Sequence, residues 1–142
     1  MTPQPRVLMV EDHPDIADLY QLKLQLDGYR VAVASDGVAG LRLARSFLPD
    51  LILLDIHMPQ LDGLQVLTAL REDEATDDVP VVICSEDDSP QLIKEAHRLG
   101  AAAYLVKANL LPSRLSQMVA DVLGQRGELT LGGAPPSARQ AS

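Results

Sequence analysis

Three carboxylates, a lysine and a serine stand where apolar runs end, and together they have the makings of a site for phosphoryl chemistry. Asp55 closes the run Leu51-Ile52-Leu53-Leu54 and precedes a loop punctuated by Pro59 and Gly63. Glu11 and Asp12 close a second run, Arg6-Val7-Leu8-Met9-Val10. Acids at the exits of buried strands lie where open α/β sheets bind ligands. Three such carboxylates side by side repel one another, and a hard cation such as Mg²⁺ would neutralise them. Ser85 follows a fourth apolar run and Lys107 a fifth. A hydroxyl and an ammonium facing acids suit an incoming tetrahedral anion. Mg²⁺ and Lys107 would offset charge on the equatorial oxygens, where phosphoryl transfer needs it. Asp55 would then be the nucleophile, carrying the group as an aspartyl phosphate.

These residues need a scaffold that brings distant chain segments to one edge. Five runs have strand length, at about 6–10, 30–34, 51–54, 79–83 and 102–106. They are continuous rather than alternating, as expected for strands covered on both faces. Segments with helical period lie between them. The apolar stripes are Ile16, Leu19, Leu22 and Leu26; Val38, Leu41, Ala44 and Leu48; Leu64, Leu67 and Leu70; Leu92, Ala96 and Leu99; and Leu115, Met118, Val119, Val122 and Leu123. Each is expected to pack on the core. Pro14 and Pro112 suit first helical turns, and Asp27-Gly28 and Leu99-Gly100 suit helix stops. The expectation is an α/β fold, a doubly wound (β/α)5 domain with a five-stranded parallel sheet in the order 2-1-3-4-5. Its first and third strands meet at the switch point, so Glu11, Asp12 and Asp55 converge there.

Composition bounds the function. The 142 residues are the usual size of one domain, and 46% hydrophobic content suffices for a core. With one Phe, three Tyr and no Trp, that core must be aliphatic. A net charge of -8 argues against direct nucleic-acid binding through a basic surface. Cys84 is the single cysteine, so no internal disulfide forms, and it reads as a small core residue. No apolar segment approaches the ~18 residues of a membrane span, and the first residues lack a signal-peptide stretch. Cytoplasm is the expected location. From residue 126 glycine, proline and serine become frequent, so 5–125 reads as the domain and 126–142 as a flexible tail.

The chain resembles the receiver domain of two-component response regulators, single-domain and CheY-like, over about residues 5–125. The matching features are Glu11-Asp12, Asp55 with Met58-Pro59 and Asp62-Gly63, Ser85, Tyr104 and Lys107, in order and at the usual spacing. The resemblance implies a flavodoxin-like fold. It implies that Asp55 accepts a phosphoryl group from a histidine of a sensor kinase or phosphotransfer protein. Asp12 and Asp55 would bind Mg²⁺ directly, Glu11 mainly through water and His57 through its backbone carbonyl. Ser85 and Lys107 would contact the phosphoryl oxygens. Tyr104 would be the switch aromatic, moving inward when Ser85 is drawn to the phosphate. That movement would reshape the face of the fourth helix, fifth strand and fifth helix for a downstream protein target. By the same analogy that face is the favoured homodimer surface. Such a protein is a signalling phosphoacceptor with weak self-catalysed chemistry, not an enzyme in the ordinary sense.

Two positions depart from the pattern. Ala108 follows Lys107 where the family usually has a cis proline, and a cis bond before a non-proline costs about 2.5–4 kcal/mol, so a trans bond is expected. Glu86 follows Ser85 where a small residue is common, and a carboxylate there is expected to alter the lifetime of the phosphorylated state. His13 and His97 read as surface residues. Three other readings compete. A haloacid-dehalogenase-type phosphatase would have a second Asp where His57 stands. A flavodoxin-type nucleotide or flavin site would have a Gly-rich loop where Glu11-Asp12-His13-Pro14 stands. A degenerate receiver would bind partners without phosphorylation.

Overall fold

Every expected strand and helix forms, in strict alternation. A computed structural model describes residues 3–130, and their side chains as far as residue 125. The order is β1 (Arg6–Val10), α1 (Pro14–Leu26), β2 (Arg30–Ala34), α2 (Gly37–Ser46), β3 (Leu51–Leu54), α3 (Gly63–Glu72), β4 (Val81–Ser85), α4 (Pro90–Arg98), β5 (Ala103–Val106) and α5 (Pro112–Thr130). The sheet runs β2-β1-β3-β4-β5 with every neighbouring pair parallel. This is the expected flavodoxin-like arrangement.

Alternate residues of each strand face opposite layers, which explains the continuous apolar runs. Leu8, Val10, Ile52, Leu54 and Ile83 join one core with residues of α2, α3 and α4. Val7, Met9, Leu53 and Val82 join a second core with Ala17, Leu24, Leu115 and Val119 of α1 and α5. Each fully buried Leu or Val contributes roughly 1.5–3 kcal/mol relative to exposure. Val10 pairs with both Ala34 and Leu54, so β1 is an interior strand and its exit sits beside that of β3.

Three expectations shift. In α2, Val38 and Leu48 of the expected stripe are 50% and 62% exposed, Leu48 lying beyond the helix, and Ala44 is its one fully buried member. β4 begins at Val81 and not at Val79, because Pro80 has no N–H for the ladder. The Pro80 carbonyl still accepts from the Ile52 N–H at 3.0 Å. The strand therefore runs through Ser85, which becomes its last residue rather than the one beyond. In α1 the expected stripe is not the buried face. Leu19, Leu22 and Leu26 are 52%, 56% and 74% exposed, and Ala17, Tyr20 and Leu24 are buried instead. The helix carries apolar residues on both sides, so periodicity alone did not choose between them.

The expected tail, 126–142, overlaps α5, which continues to Thr130; the remainder lies outside the described residues. Among the described residues no helix is long and apolar enough to cross a membrane.

Candidate functional site

The carboxyl edge of the sheet gathers the acids and the lysine as the strand order requires. The Asp55 N–H donates to the Val10 carbonyl at 3.1 Å, and the Glu11 N–H to Ala34 at 2.9 Å. These bonds carry the parallel ladder one residue past each strand and lock the backbones of Glu11 and Asp55 side by side. From β5, Lys107 reaches across to both. Its ammonium bonds Glu11 Oε1 and lies 3.3 Å from Asp55 Oδ2. All three side chains are nearly buried, at 5%, 4% and 6% exposure for Lys107, Glu11 and Asp55.

This geometry sets the electrostatics. Burial disfavours the Lys107 charge, but the bond to Glu11 and the neighbouring Asp55 outweigh it and hold the ammonium above its ordinary range. Glu11 is pushed up, first by burial and then by the charge on Asp55, although Lys107 opposes both. Below the acids Cys84 is buried, and burial lifts its thiol to about 12, so it stays a neutral wall. Tyr20 and Cys84 line a cavity of about 10 Å³ with Glu11 and Asp55. At most one water fits such a space.

The donor set suits a hard cation. Asp12 Oδ1 is buried without a hydrogen-bond partner, an orphan of the kind that calls for an explanation. Ligand atoms of Glu11, Asp12 and His13 lie within 4.8 Å of one another. Carboxylate oxygens are what Mg²⁺ takes, and imidazole is not. Among the described residues Asp55 does not join that compact group, because its carboxylate is turned to Lys107. The His57 imidazole is exposed and points away, meeting Asp87 Oδ2 at 3.0 Å through Nε2. His13 and His97 are exposed, as expected.

The loop after Asp55 is held by local chemistry. The Gly63 N–H donates to the Ile56 carbonyl at 2.8 Å. A Cβ on Gly63 would sit 2.2 Å from the Asp55 carbonyl oxygen and 2.7 Å from Ile56 Cα, so only glycine lets α3 approach this closely. Asp62 caps α3 in a reciprocal box with Gln65, both bonds at 2.9 Å. Gln60 takes φ 69°, a left-handed turn that non-glycine residues enter at some expense. Met58 is buried in the core and anchors the loop from below.

Ser85 is fully buried, and its Oγ accepts from the Asp87 N–H at 3.1 Å. Tyr104 is half-buried, and its hydroxyl donates to the Asp87 carbonyl at 2.5 Å. Burial raises the Tyr104 phenol above its usual range. Asp87 has no part in the expected site, yet both expected switch residues end on it. The signal was the spacing Asp87-x-Ser89-Pro90 ahead of a helix, an Asx turn feeding an N-cap. Glu86 is exposed. No peptide is cis among the described residues, so Lys107–Ala108 is trans as expected, and Lys107–Asn109 forms a single 3-10 turn.

Comparison with known proteins agrees with this geometry. The profile of the response regulator receiver domain matches residues 7–120. The "DNA-binding dual master transcriptional regulator RpaA" of Synechocystis is 39% identical over 118 residues, 83% of this chain and 47% of that protein. The "Transcriptional regulatory protein PrrA" of Mycobacterium tuberculosis is 42% identical over 123 residues, 87% of this chain and 52% of that protein. The chain spans about half the length of these relatives. Among solved structures, the Vibrio cholerae chemotaxis protein CheY4 superposes with TM-score 0.79 at 28% identity, covering 84% of this chain and 98% of that one. The receiver domain of the Francisella response regulator 1452 gives 0.78 at 31%, covering 87% and 99%.

Proposed function

This chain belongs to the response regulator receiver domain family, and from that premise we propose that Asp55 accepts a phosphoryl group from a phosphohistidine of a sensor kinase or phosphotransfer protein. An Asp55 carboxylate oxygen attacks phosphorus in line. The P–O bond forms as the P–N bond breaks, and the electron pair leaves on the donor imidazole. One observation carries this reading: a nearly buried ammonium from β5 stands between acids from β1 and β3, bonded to Glu11 and 3.3 Å from Asp55. Lys107 is thus placed to follow Asp55 onto the oxygens of an arriving phosphoryl group and offset their charge. The buried Ser85 hydroxyl, which accepts a bond from the Asp87 N–H, would donate to the same oxygens.

Members of this family typically bind Mg²⁺, and the oxygens here fit it. Asp12, Asp55 and the His57 carbonyl would hold it, with Glu11 through water. When bound, it supplies positive charge against the phosphoryl oxygens. The orphaned Asp12 oxygen supports this assignment. The working unit is residues 5–125. Its readout passes through Tyr104 to the face of α4, β5 and α5, which meets a downstream protein or a second copy of the chain. Glu86, exposed beside Ser85, tunes how long the group stays.

The test is direct. The intact mass of the wild type, incubated with a small phosphodonor and Mg²⁺, should rise by one phosphoryl group, and that of Asp55→Asn should not. Equal masses with and without donor, in fresh folded protein, would refute phosphoryl acceptance.

A further inference from the structure

Tyr20 reaches the sheet from α1 on the face that carries the acids. Residues two apart on a strand share a face. Met9, Leu53 and Cys84 pack in the core beneath α1 and α5. The ladder continues through the Glu11 and Asp55 N–H groups, so their side chains rise on that same side, one step nearer the carboxyl edge. Tyr20 belongs to this core and is 7% exposed. Burial raises its phenol above the usual range, and Cys84, Lys107 and Glu11 all act on it, which places the hydroxyl at their end of the ring. That hydroxyl makes no hydrogen bond with any described residue. A buried tyrosine ordinarily gives its O–H a partner.

The acids have the opposite shortage. Glu11 Oε1 is bonded to Lys107, and its Oε2 accepts from the His13 N–H at 3.2 Å. The Asp55 carboxylate meets one donor among the described residues, Lys107 at 3.3 Å. Two nearly buried carboxylates thus share one ammonium, and buried charge calls for further donors. The spare donor and the under-supplied acceptors line one cavity of about 10 Å³, with Tyr20, Glu11, Asp55 and Cys84 in its walls.

We propose that this cavity is a binding site for one water, which accepts from the Tyr20 hydroxyl and donates to the carboxylates of Glu11 and Asp55. Tyr20 is then a positioning residue for the two acids. The bonds balance: one donor, two acceptors, and a molecule with an oxygen to accept and two protons to give, about the three bonds a buried water makes. The consequence for chemistry rests on the reading of Asp55 as phosphoacceptor. Held from the core side, the Asp55 carboxylate keeps its other oxygen toward an arriving donor. Without the water it leans onto Lys107, its one remaining partner, and the attacking oxygen is misplaced. A phenylalanine would fill the same core, so the hydroxyl's part is separable from the packing of the ring.

Crystals that diffract well enough to show ordered water provide the first readout. The wild type should carry one water in this cavity, within hydrogen-bond distance of Tyr20 Oη and of a carboxylate oxygen from each of Glu11 and Asp55. Tyr20→Phe keeps the ring and removes the hydroxyl. It should lack that water and melt within about 2 °C of the wild type. It should take up the phosphoryl group from a small donor, at saturating Mg²⁺, roughly five- to tenfold more slowly. Tyr20→Leu is the control for packing, and it should lower the melting temperature by about 5 °C or more. If Tyr20→Phe keeps the wild-type rate, or slows only in proportion to the protein that has unfolded, packing is the whole of Tyr20's part and the proposal falls. It falls equally if the wild-type cavity shows no water. If the wild type gains no phosphoryl group, the phosphoacceptor reading fails by itself, and the density still decides the water site.

Discussion

Two partly buried cations stand at opposite edges of the same sheet, and they are satisfied in different ways. At the amino edge Arg71 of α3 faces four backbone carbonyls: Val79 at 2.8 Å, Gly100 at 3.0 Å, Asp77 at 3.2 Å and Thr76 at 3.5 Å. Gly100 makes room for it, with φ 98° and the guanidinium 2.9 Å from where a Cβ would be. At the carboxyl edge Lys107 faces two carboxylates, with an unpartnered Asp12 oxygen close by in sequence to one of them. Carbonyls fixed by the backbone close the first arrangement, which knits the starts of β4 and β5 to α3. Side-chain acids leave the second open to exchange partners. A cation whose partners are main chain holds the fold, and one whose partners are acids can serve chemistry.

The comparison breaks most visibly if the two cations are removed in turn. Arg71→Met should lower stability by about 1–2 kcal/mol in urea, since two part-buried and two exposed carbonyls lose their donor, and should leave phosphoryl uptake unchanged below its melting point. Lys107→Met should instead cut the uptake rate about a hundredfold, whatever the accompanying change in stability. The comparison fails if Arg71→Met loses uptake as severely as Lys107→Met.

Gly63→Ala sharpens it at the loop. Its Cβ would strike backbone at 2.2 Å from the Asp55 oxygen, so α3 must back away. A loss of about 2–3 kcal/mol should come with a marked rise in the Mg²⁺ concentration needed for half-maximal phosphorylation. Unchanged magnesium dependence would show that α3 does not position the site.

Alkaline pH separates the edges next. Lys107 is held above its ordinary value, burial raises the phenols of Tyr20, Tyr29 and Tyr104, and the Cys84 thiol is lifted to about 12. Each of these groups keeps its proton to higher pH when folded than when unfolded. Their contribution is therefore full below the unfolded values and is lost as pH climbs through the folded ones. The melting temperature should fall by on the order of 5 °C or more between about pH 9 and pH 11. Lys107→Met should flatten that fall, and Arg71→Met should keep its slope. A flat wild-type profile would contradict the assigned directions.

The smallest effect concerns α1. Leu22→Gln, on its exposed side, should change stability by less than about 0.5 kcal/mol, whereas Leu24→Ala should cost about 2–5 kcal/mol. Similar losses would restore the stripe of Leu19, Leu22 and Leu26 as the buried face.

Much of this was legible in the chain itself, and the exceptions have reasons. The strands read cleanly because both faces of each are covered, which leaves uninterrupted apolar runs such as Leu51-Ile52-Leu53-Leu54. The acids read cleanly because a charge immediately after such a run has few other places to be. The start of β4 slipped by two residues because Pro80 extends the apolar run while being unable to donate to the ladder. The phase of α1 was ambiguous because Tyr20 and Leu24 compete with Leu19 and Leu22 for the core. Asp87 has no part in the expected site because its bonds to His57 and Tyr104 are ones that only the fold brings within reach. The turn of Asp55 toward Lys107 was likewise invisible, since spacing gives neighbours but not the direction of a carboxylate.

The central claim is that one acid among twenty carries the phosphoryl group, because three strand ends converge on it. Borohydride reduces an aspartyl phosphate to homoserine and so marks the modified position permanently. Wild-type protein treated with a small phosphodonor and Mg²⁺, then reduced and sequenced by mass spectrometry, should carry homoserine at position 55 and at no other aspartate. Homoserine at position 12, or an aspartate pattern no different from that of unphosphorylated protein, would contradict the account.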